Sequence, residues 1–189
     1  MFIISHTKDT QVKEKLLSFF QNTLQKDQPL VALVITKSLC NIFQTVGTIS
    51  EKWKAVFKKL FQSTIPKVLL LLITWLRSHP TNIVVISAFL HDVIRLTNCN
   101  DSIEVKTKAA EYLLDTLHKN QLAAQQKYAI FVCASAQLSG PVADTHLAIV
   151  TYLGPSYVDL QPEQAQINVG ADLLDIISRG SGIPETLSH

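Results

Sequence analysis

The chain has 189 residues, 47% of them apolar and 17% charged, with a net charge of +2. That is ample apolar material for a continuous core, and it excludes a largely disordered chain. The three cysteines, Cys40, Cys99 and Cys133, are odd in number, far apart and without a C-x-x-C pair, which speaks against a disulfide framework or a zinc site and for a reducing compartment.

Residues 1–9 read as a lead-in. Its only apolar run, Phe2 to Ile4, is too short for a signal-peptide core, and no Arg-rich leader follows, so secretion is not expected. From Thr10 the spacing of Val12, Leu16, Phe19, Phe20 and Leu24 predicts a first helix, interrupted by the Lys26 to Pro29 break. Pro29 then stands near the first turn of the next helix, where its missing N–H costs nothing.

From Pro29 to Leu96 four apolar segments follow in close succession: Leu30 to Val46, Trp53 to Phe61, Val68 to Leu76 and Ile83 to Leu96. Gly47, Pro66 and the turn Ser78, His79, Pro80 divide them into lengths that suit helices, made antiparallel by short connections. The first and last carry their polarity on one narrow stripe each, Lys37/Asn41/Gln44 and Ser87/His91/Arg95, so both are expected to be covered on several sides. Glu51 to Gln62 is two-sided, with Trp53, Val56, Phe57 and Leu60 opposite Lys52, Lys58 and Lys59. Thr48 and Glu51 form a T-x-x-E pattern that predicts a capping box and a helix beginning near Ser50. Val68 to Leu76, the most apolar stretch, is about half the length of about 20 residues that crosses a bilayer, and reads as core.

Thr97 to Ser102 is a loop rich in residues that bond their own backbone, and Glu104, three residues past Asp101, predicts a helix start. That helix is expected to set Ile103, Ala110, Leu113, Leu114 and Leu117 on one side, with Glu104/Lys108 and Asp115/Lys119 as i,i+4 pairs. Further helices are expected at about 123–138, 141–153 and 163–178, closed by Gly140, by Gly154 and Pro155, and by Gly180. No segment predicts a strand. Trp53 and Trp75 each belong to an apolar set at helical spacing and are assigned to the core.

Pairing successive helices gives units of roughly 30–40 residues, the range of HEAT-type, armadillo and tetratricopeptide repeats. The tetratricopeptide pattern of Trp, Leu-Gly and Tyr is missing. The expected fold is therefore all-α, an α-α superhelix (a HEAT/armadillo-like solenoid) of about nine helices over residues 10–180, with a tail at 181–189. An ordinary helical bundle is the alternative. The charge is asymmetric: residues 1–95 hold 12 Lys/Arg against 5 Asp/Glu (+7), and residues 96–189 hold 5 against 10 (−5). Such a field can steer charged partners. No basic cluster is interleaved with aromatics, so nucleic-acid binding is not expected.

Chemistry-bearing sets are sparse. Ser87 and His91 share a helical face, but Asp92 points about 100° away and cannot orient the imidazole as a triad requires. Asp144 and His146 lie two apart, on different sides of a helix, so no metal site is expected. The pair Gly180 and Gly182 follows a helix rather than preceding one and reads as a C-cap, not a phosphate loop. No catalytic residue, cofactor or metal is expected, and the chain is read as a non-enzyme.

Three passages resemble the importin-β superfamily, in its importin-13/transportin-3 branch. Lys13 to Leu24, followed by Leu30 to Phe43 and a Trp ten residues on at Trp53, is similar to an early repeat of that family. Val68 to Leu76 ahead of His79 and Pro80 resembles its apolar helix before an acidic turn, with Ser-His-Pro in place of the acidic residues. Asp144 to Gly154, Ala171 to Ile177 and the Gly-Ile-Pro turn of Ser181 to Glu185 resemble a helix, a helix and a turn of the family in that order, although the family's Cys is replaced near Arg179 and Gly180. The resemblance implies an internal fragment of a nuclear transport receptor shuttling between nucleus and cytoplasm. It would bind protein cargo on its concave helices and meet nucleoporins, with the main site for the GTPase Ran outside this chain. No individual contact residue matches a family motif. The alternative is a generic HEAT or armadillo scaffold for protein interactions without Ran dependence. In either case the apolar residues of the last helix (Ile167, Leu173, Leu174, Ile176, Ile177) and Phe19 and Phe20 of the first would lack a covering neighbour, so the chain made alone is expected to self-associate.

Overall fold

A computed structural model describes residues 10–24, 28–43 and 49–156. These form eight α-helices and a short 3-10 turn, and no strand is found among the described residues. The fold is all-α. The helices are α1 (Thr10–Leu24), α2 (Pro29–Ile42), α3 (Glu51–Phe61), α4 (Pro66–Arg77), α5 (Ile83–Cys99), α6 (Ile103–Lys119), α7 (Ala124–Ser135) and α8 (Ala143–Leu153). The expected helix at 163–178, the Gly180 stop and the Gly-Ile-Pro turn lie outside the described residues, as do Thr48, Gln44 and Gly47.

The chain divides into two compact units, Met1–Asp92 and Val93–His189. In the first, α1 packs on α2 and α3, α2 on α4, and α3 on α4. The core is an unbroken aromatic series to which every helix of this unit contributes. Phe20 of α1 meets Trp53 edge-on at 6.3 Å, Trp53 meets Phe43 at 5.3 Å, and Phe43 meets Phe57 at 5.7 Å. Phe57 stacks on Trp75 at 4.6 Å with 21° between the rings, and Phe89 of α5 closes the series against Phe57, Phe61 and Trp75. Pairs in such arrangements contribute about 0.5–1.5 kcal/mol each beyond their buried area. The indole N–H of Trp75 donates to the carbonyl of Phe43, 3.3 Å away, so the buried ring leaves no polar atom unpaired.

Two proline starts explain why α2 and α4 begin where they do. Pro29 and Pro66 occupy the first helical positions after Gln28 and Ile65, both in extended backbone. The α3 start differs from the capping box that the sequence suggests. Ser50 is the N-cap, which makes Glu51 the first helical residue rather than the third, and the Glu51 carboxylate accepts from Lys54 at 2.6 Å instead. A capping-box carboxylate must sit at the third position to reach back to the cap amide. α2 also ends at Ile42, before the expected Val46.

Burial corrects two further expectations here. Phe20 is buried rather than exposed, because it turns toward Trp53, while Phe19 alone faces outward. On α2, Leu30 and Val34 are 79% and 63% exposed, so this helix is covered on fewer sides than its apolar circumference suggests. They lie four residues apart on the face that also carries exposed Lys37 and Asn41, opposite the buried Ile35 and Leu39.

In the second unit α8 packs on α6 and α7. The buried face of α6 is Val105, Ala109, Ala110, Tyr112, Leu113, Thr116 and Leu117, and Ile103 is 60% exposed because two residues back from Val105 is about 200° around the helix. The α6 cap is Ser102, whose hydroxyl accepts from the Val105 amide at 3.4 Å, one residue later than Asp101. Lys108 pairs with Glu111 at 2.9 Å. α7 stops at Ser135 and a run of turns leads through Gly140, whereas α8 ends at Leu153 against Gly154 as expected.

Candidate functional site

The Ser87 and His91 side chains sit on one exposed face of α5, and Asp92, half-buried, is displaced around the helix. Both side chains of the pair are exposed, so it lacks the enclosure that nucleophilic catalysis needs. Asp144 is exposed and His146 buried, so the structure separates them as their spacing on α8 dictates. No group of three or more His, Cys, Asp or Glu side chains that could hold a metal ion occurs among the described residues. No helix among them is long and apolar enough to cross a membrane.

A cleft of about 390 Å³ opens at one end of the first unit. Leu24, Pro29, Ala32, Leu60 and Ile65 give it apolar walls, and the exposed Lys59 stands at its edge. It lies where α1 ends, α2 and α4 begin and α3 stops. The Ser63 hydroxyl there accepts from the Ile65 amide at 3.2 Å and so shapes the α3–α4 turn. Its polar lining from Lys59, Gln62 and Thr64 is solvated, and the cleft suits apolar side chains better than a reacting group.

Several of the buried polar groups form two clusters that the sequence pattern does not single out. In the first unit His79 follows α4 and packs on Trp75 at 5.1 Å. Its Nδ1 lies 3.0 Å from the Trp75 carbonyl and 3.1 Å from the Ser78 hydroxyl, and Nε2 is buried without a hydrogen-bond partner. In the second unit the Thr97 hydroxyl donates to the Ile94 carbonyl at 2.8 Å, and the Cys133 sulfur lies 3.0 Å from Thr97 Oγ1 and 3.2 Å from Asn98 Oδ1. This knot ties α7 to the last turns of α5. The groups of this knot are hydrogen-bonded because burying them unpaired would cost about 1–3 kcal/mol each.

His146 is different: it is 2% exposed and neither ring nitrogen has a hydrogen-bond partner. Burial pushes its pKa below the usual value, against a pull from the Gln137 backbone and with a further push from the Lys106 charge. Burial also raises the Cys40 thiol to about 12 and the Tyr112 phenol to about 12, which holds both neutral. The isolated His146 was weighed in the sequence only as half of a metal pair, and no spacing signal marks a histidine that packs as a core residue.

The surface offers exposed apolar side chains on several helices: Phe19 on α1, Leu30 and Val34 on α2, Ile103 on α6, and Leu147 and Tyr152 on α8. The described residues thus present apolar side chains to solvent on at least four of the eight helices. Comparison of the chain with protein-family models, with curated proteins and with solved structures finds no match.

Proposed function

We propose that this chain is a protein-binding segment of a helical repeat array, and specifically part of a nuclear transport receptor that takes up protein cargo and responds to the GTPase Ran. The observation that carries the proposal is the order of helix packing. In the first unit α1 packs on α2 and α3, α2 on α4 and α3 on α4, and in the second α8 packs on α6 and α7. Contacts between helices one and two places apart in sequence are what stacked helical pairs make, since each pair is roofed by the next. The outward apolar residues of α2 support a contact role, because they gain burial when a partner covers them.

The transport-receptor assignment rests on the resemblance of residues 12–96 and 140–187 to the importin-13/transportin-3 branch. Pull-down of the full-length protein with Ran loaded with GTP or with GDP tests it. Retention by Ran-GTP in preference to Ran-GDP is expected. Equal or absent retention would leave a Ran-independent scaffold, and cargo capture should then be indifferent to the nucleotide.

A further inference from the structure

His146 is the fourth residue of α8, and its side chain enters the second unit where a leucine or phenylalanine would serve the packing. A neutral imidazole always carries one donor and one acceptor, and here neither makes a hydrogen bond of good geometry, the Gln137 backbone being the polar group that pulls on the ring. We propose that His146 is an acid-labile latch, whose protonation releases α8 from its seat on α6 and α7.

Three features of the site act against a charge on this ring. The ring is desolvated, so the imidazolium would lose its hydration, and the pull of the Gln137 backbone only partly offsets that loss. Lys106 of α6 adds a like charge. The first turn of α8 also presents the positive end of its helix dipole, with the His146 amide bonded back to the Val142 carbonyl at 3.2 Å.

Among the described residues, the titratable groups on the elements packed against α8 are few. On α6 the carboxylates are the exposed Glu104, Glu111 paired with Lys108, and the half-buried Asp115, and the buried Tyr112 is held neutral by burial. On α7 the titratable residues are Lys127, Tyr128 and Cys133; the first two sit in its opening turns, far from the α7–α8 connection, and Cys133 is engaged with Thr97 and Asn98. The connection from Ala136 to Val142 and the 3-10 turn Gly154–Ser156 contain no ionisable side chain. On α8 itself Asp144 is exposed, two residues and about 200° away.

α8 is seated on α6 and α7 through one buried face, and His146 is part of that face. Its buried residues are His146, Ile149 and Leu153, and its polar tie is the Tyr152 hydroxyl donating to the Leu117 carbonyl at 3.3 Å, with the Tyr152 ring edge-on to His118 at 4.7 Å. In the open state the ring regains its ordinary affinity for a proton, while the closed state resists protonation. The open state therefore binds more protons, and the closed state loses ground as the pH falls below about 6.5, the ordinary histidine value.

The test is amide hydrogen exchange of the full chain between pH 8 and 4.5, corrected for intrinsic exchange chemistry, alongside NMR titration of the His146 ring. The α8 amides are expected to open increasingly below about pH 6.5, on the order of ten-fold for each unit by which the ring's pKa is lowered. The rise should level off at the pH where the closed-state ring itself titrates, with α6 amides unaffected over the same range. In His146→Leu the α8 profile should become flat, and His146→Lys should open α8 already at pH 7.5. A ring that titrates at or above the ordinary value overturns the proposal, as does an α8 profile that keeps its pH dependence in His146→Leu. Should the leucine variant fail to fold, the ring titration and the α8 profile of the unaltered chain still decide between these outcomes.

Discussion

The consequence of a substitution here depends on which side of a helix a residue faces, more than on its type. Phe57 has no exposed surface and touches Phe43, Trp75 and Phe89. Phe57→Ala is expected to destabilise the chain by about 3–5 kcal/mol, read from urea unfolding, because the surrounding rings cannot collapse into the space. Phe19, mostly exposed, carries the same side chain on the other side of the same interior, and Phe19→Ala should stay within about 0.5 kcal/mol of the parent. His91→Gln belongs with the second case and should leave stability and any assayed property unchanged, since the ring is solvated. Loss of a hydrolytic activity in that variant would overturn the non-enzymatic reading. Cys40 gives a chemical readout. With its thiol raised to about 12 by burial, thiolate is scarce at pH 8, so peptide-resolved alkylation should find Cys40 modified far more slowly in the folded chain than in denaturant.

At the scale of the element, the helix starts separate two ways of satisfying orphan amides. Ser102 accepts from the Val105 amide, whereas Ser50 makes no side-chain cap bond at α3. Ser102→Ala should therefore cost about 0.5–1 kcal/mol, toward the lower end of measured caps because the bond is long, and Ser50→Ala should cost less. Paired thermal melts of the two variants check this, and an equal loss from both would remove the distinction. The C-terminal end of α3 is supported differently: Lys58 and Lys59 in its last turn complement the dipole, and at the other end Lys54 holds the Glu51 carboxyl below its usual range. That ion pair is solvated, so it sets geometry more than stability.

For the whole molecule, the exposed apolar residues predict behaviour in solution. Leu30 and Val34, with Phe19 of the neighbouring helix, leave apolar surface that a partner protein or a second copy would cover. Sedimentation velocity at several concentrations is expected to show self-association of the isolated chain, and Leu30→Lys combined with Val34→Glu should reduce it without changing the helical circular dichroism. A monodisperse monomer with a single cooperative melt would point to a closed helical domain and weaken the repeat-array proposal. The two halves of the sequence also differ in charge, +7 for residues 1–95 and −5 for residues 96–189. Any association steered by that difference should weaken with salt.

The sequence by itself determined that the chain is helical and nearly where each described helix lies, because periodicity, prolines at first turns and polar breakers act within a few residues of one another. Pro29, Pro66, the turn at Ser78 to Pro80 and Gly154 each mark a boundary close to the one observed. It also determined that Trp75 is core, since an indole amid Leu72, Ile73 and Leu76 at helical spacing can hardly face water. What only the tertiary structure decided is which of several apolar faces meets a neighbour. Leu30, Val34 and Ile103 look like core residues in one dimension, yet their helices turn other faces inward, while Phe20 leaves Phe19 outside to reach Trp53. The Thr97–Asn98–Cys133 knot and the unpartnered His146 were invisible for the same reason. Hydrogen bonds across 35 residues and the desolvation of a ring are properties of what folds against them, and no local pattern of residues encodes that.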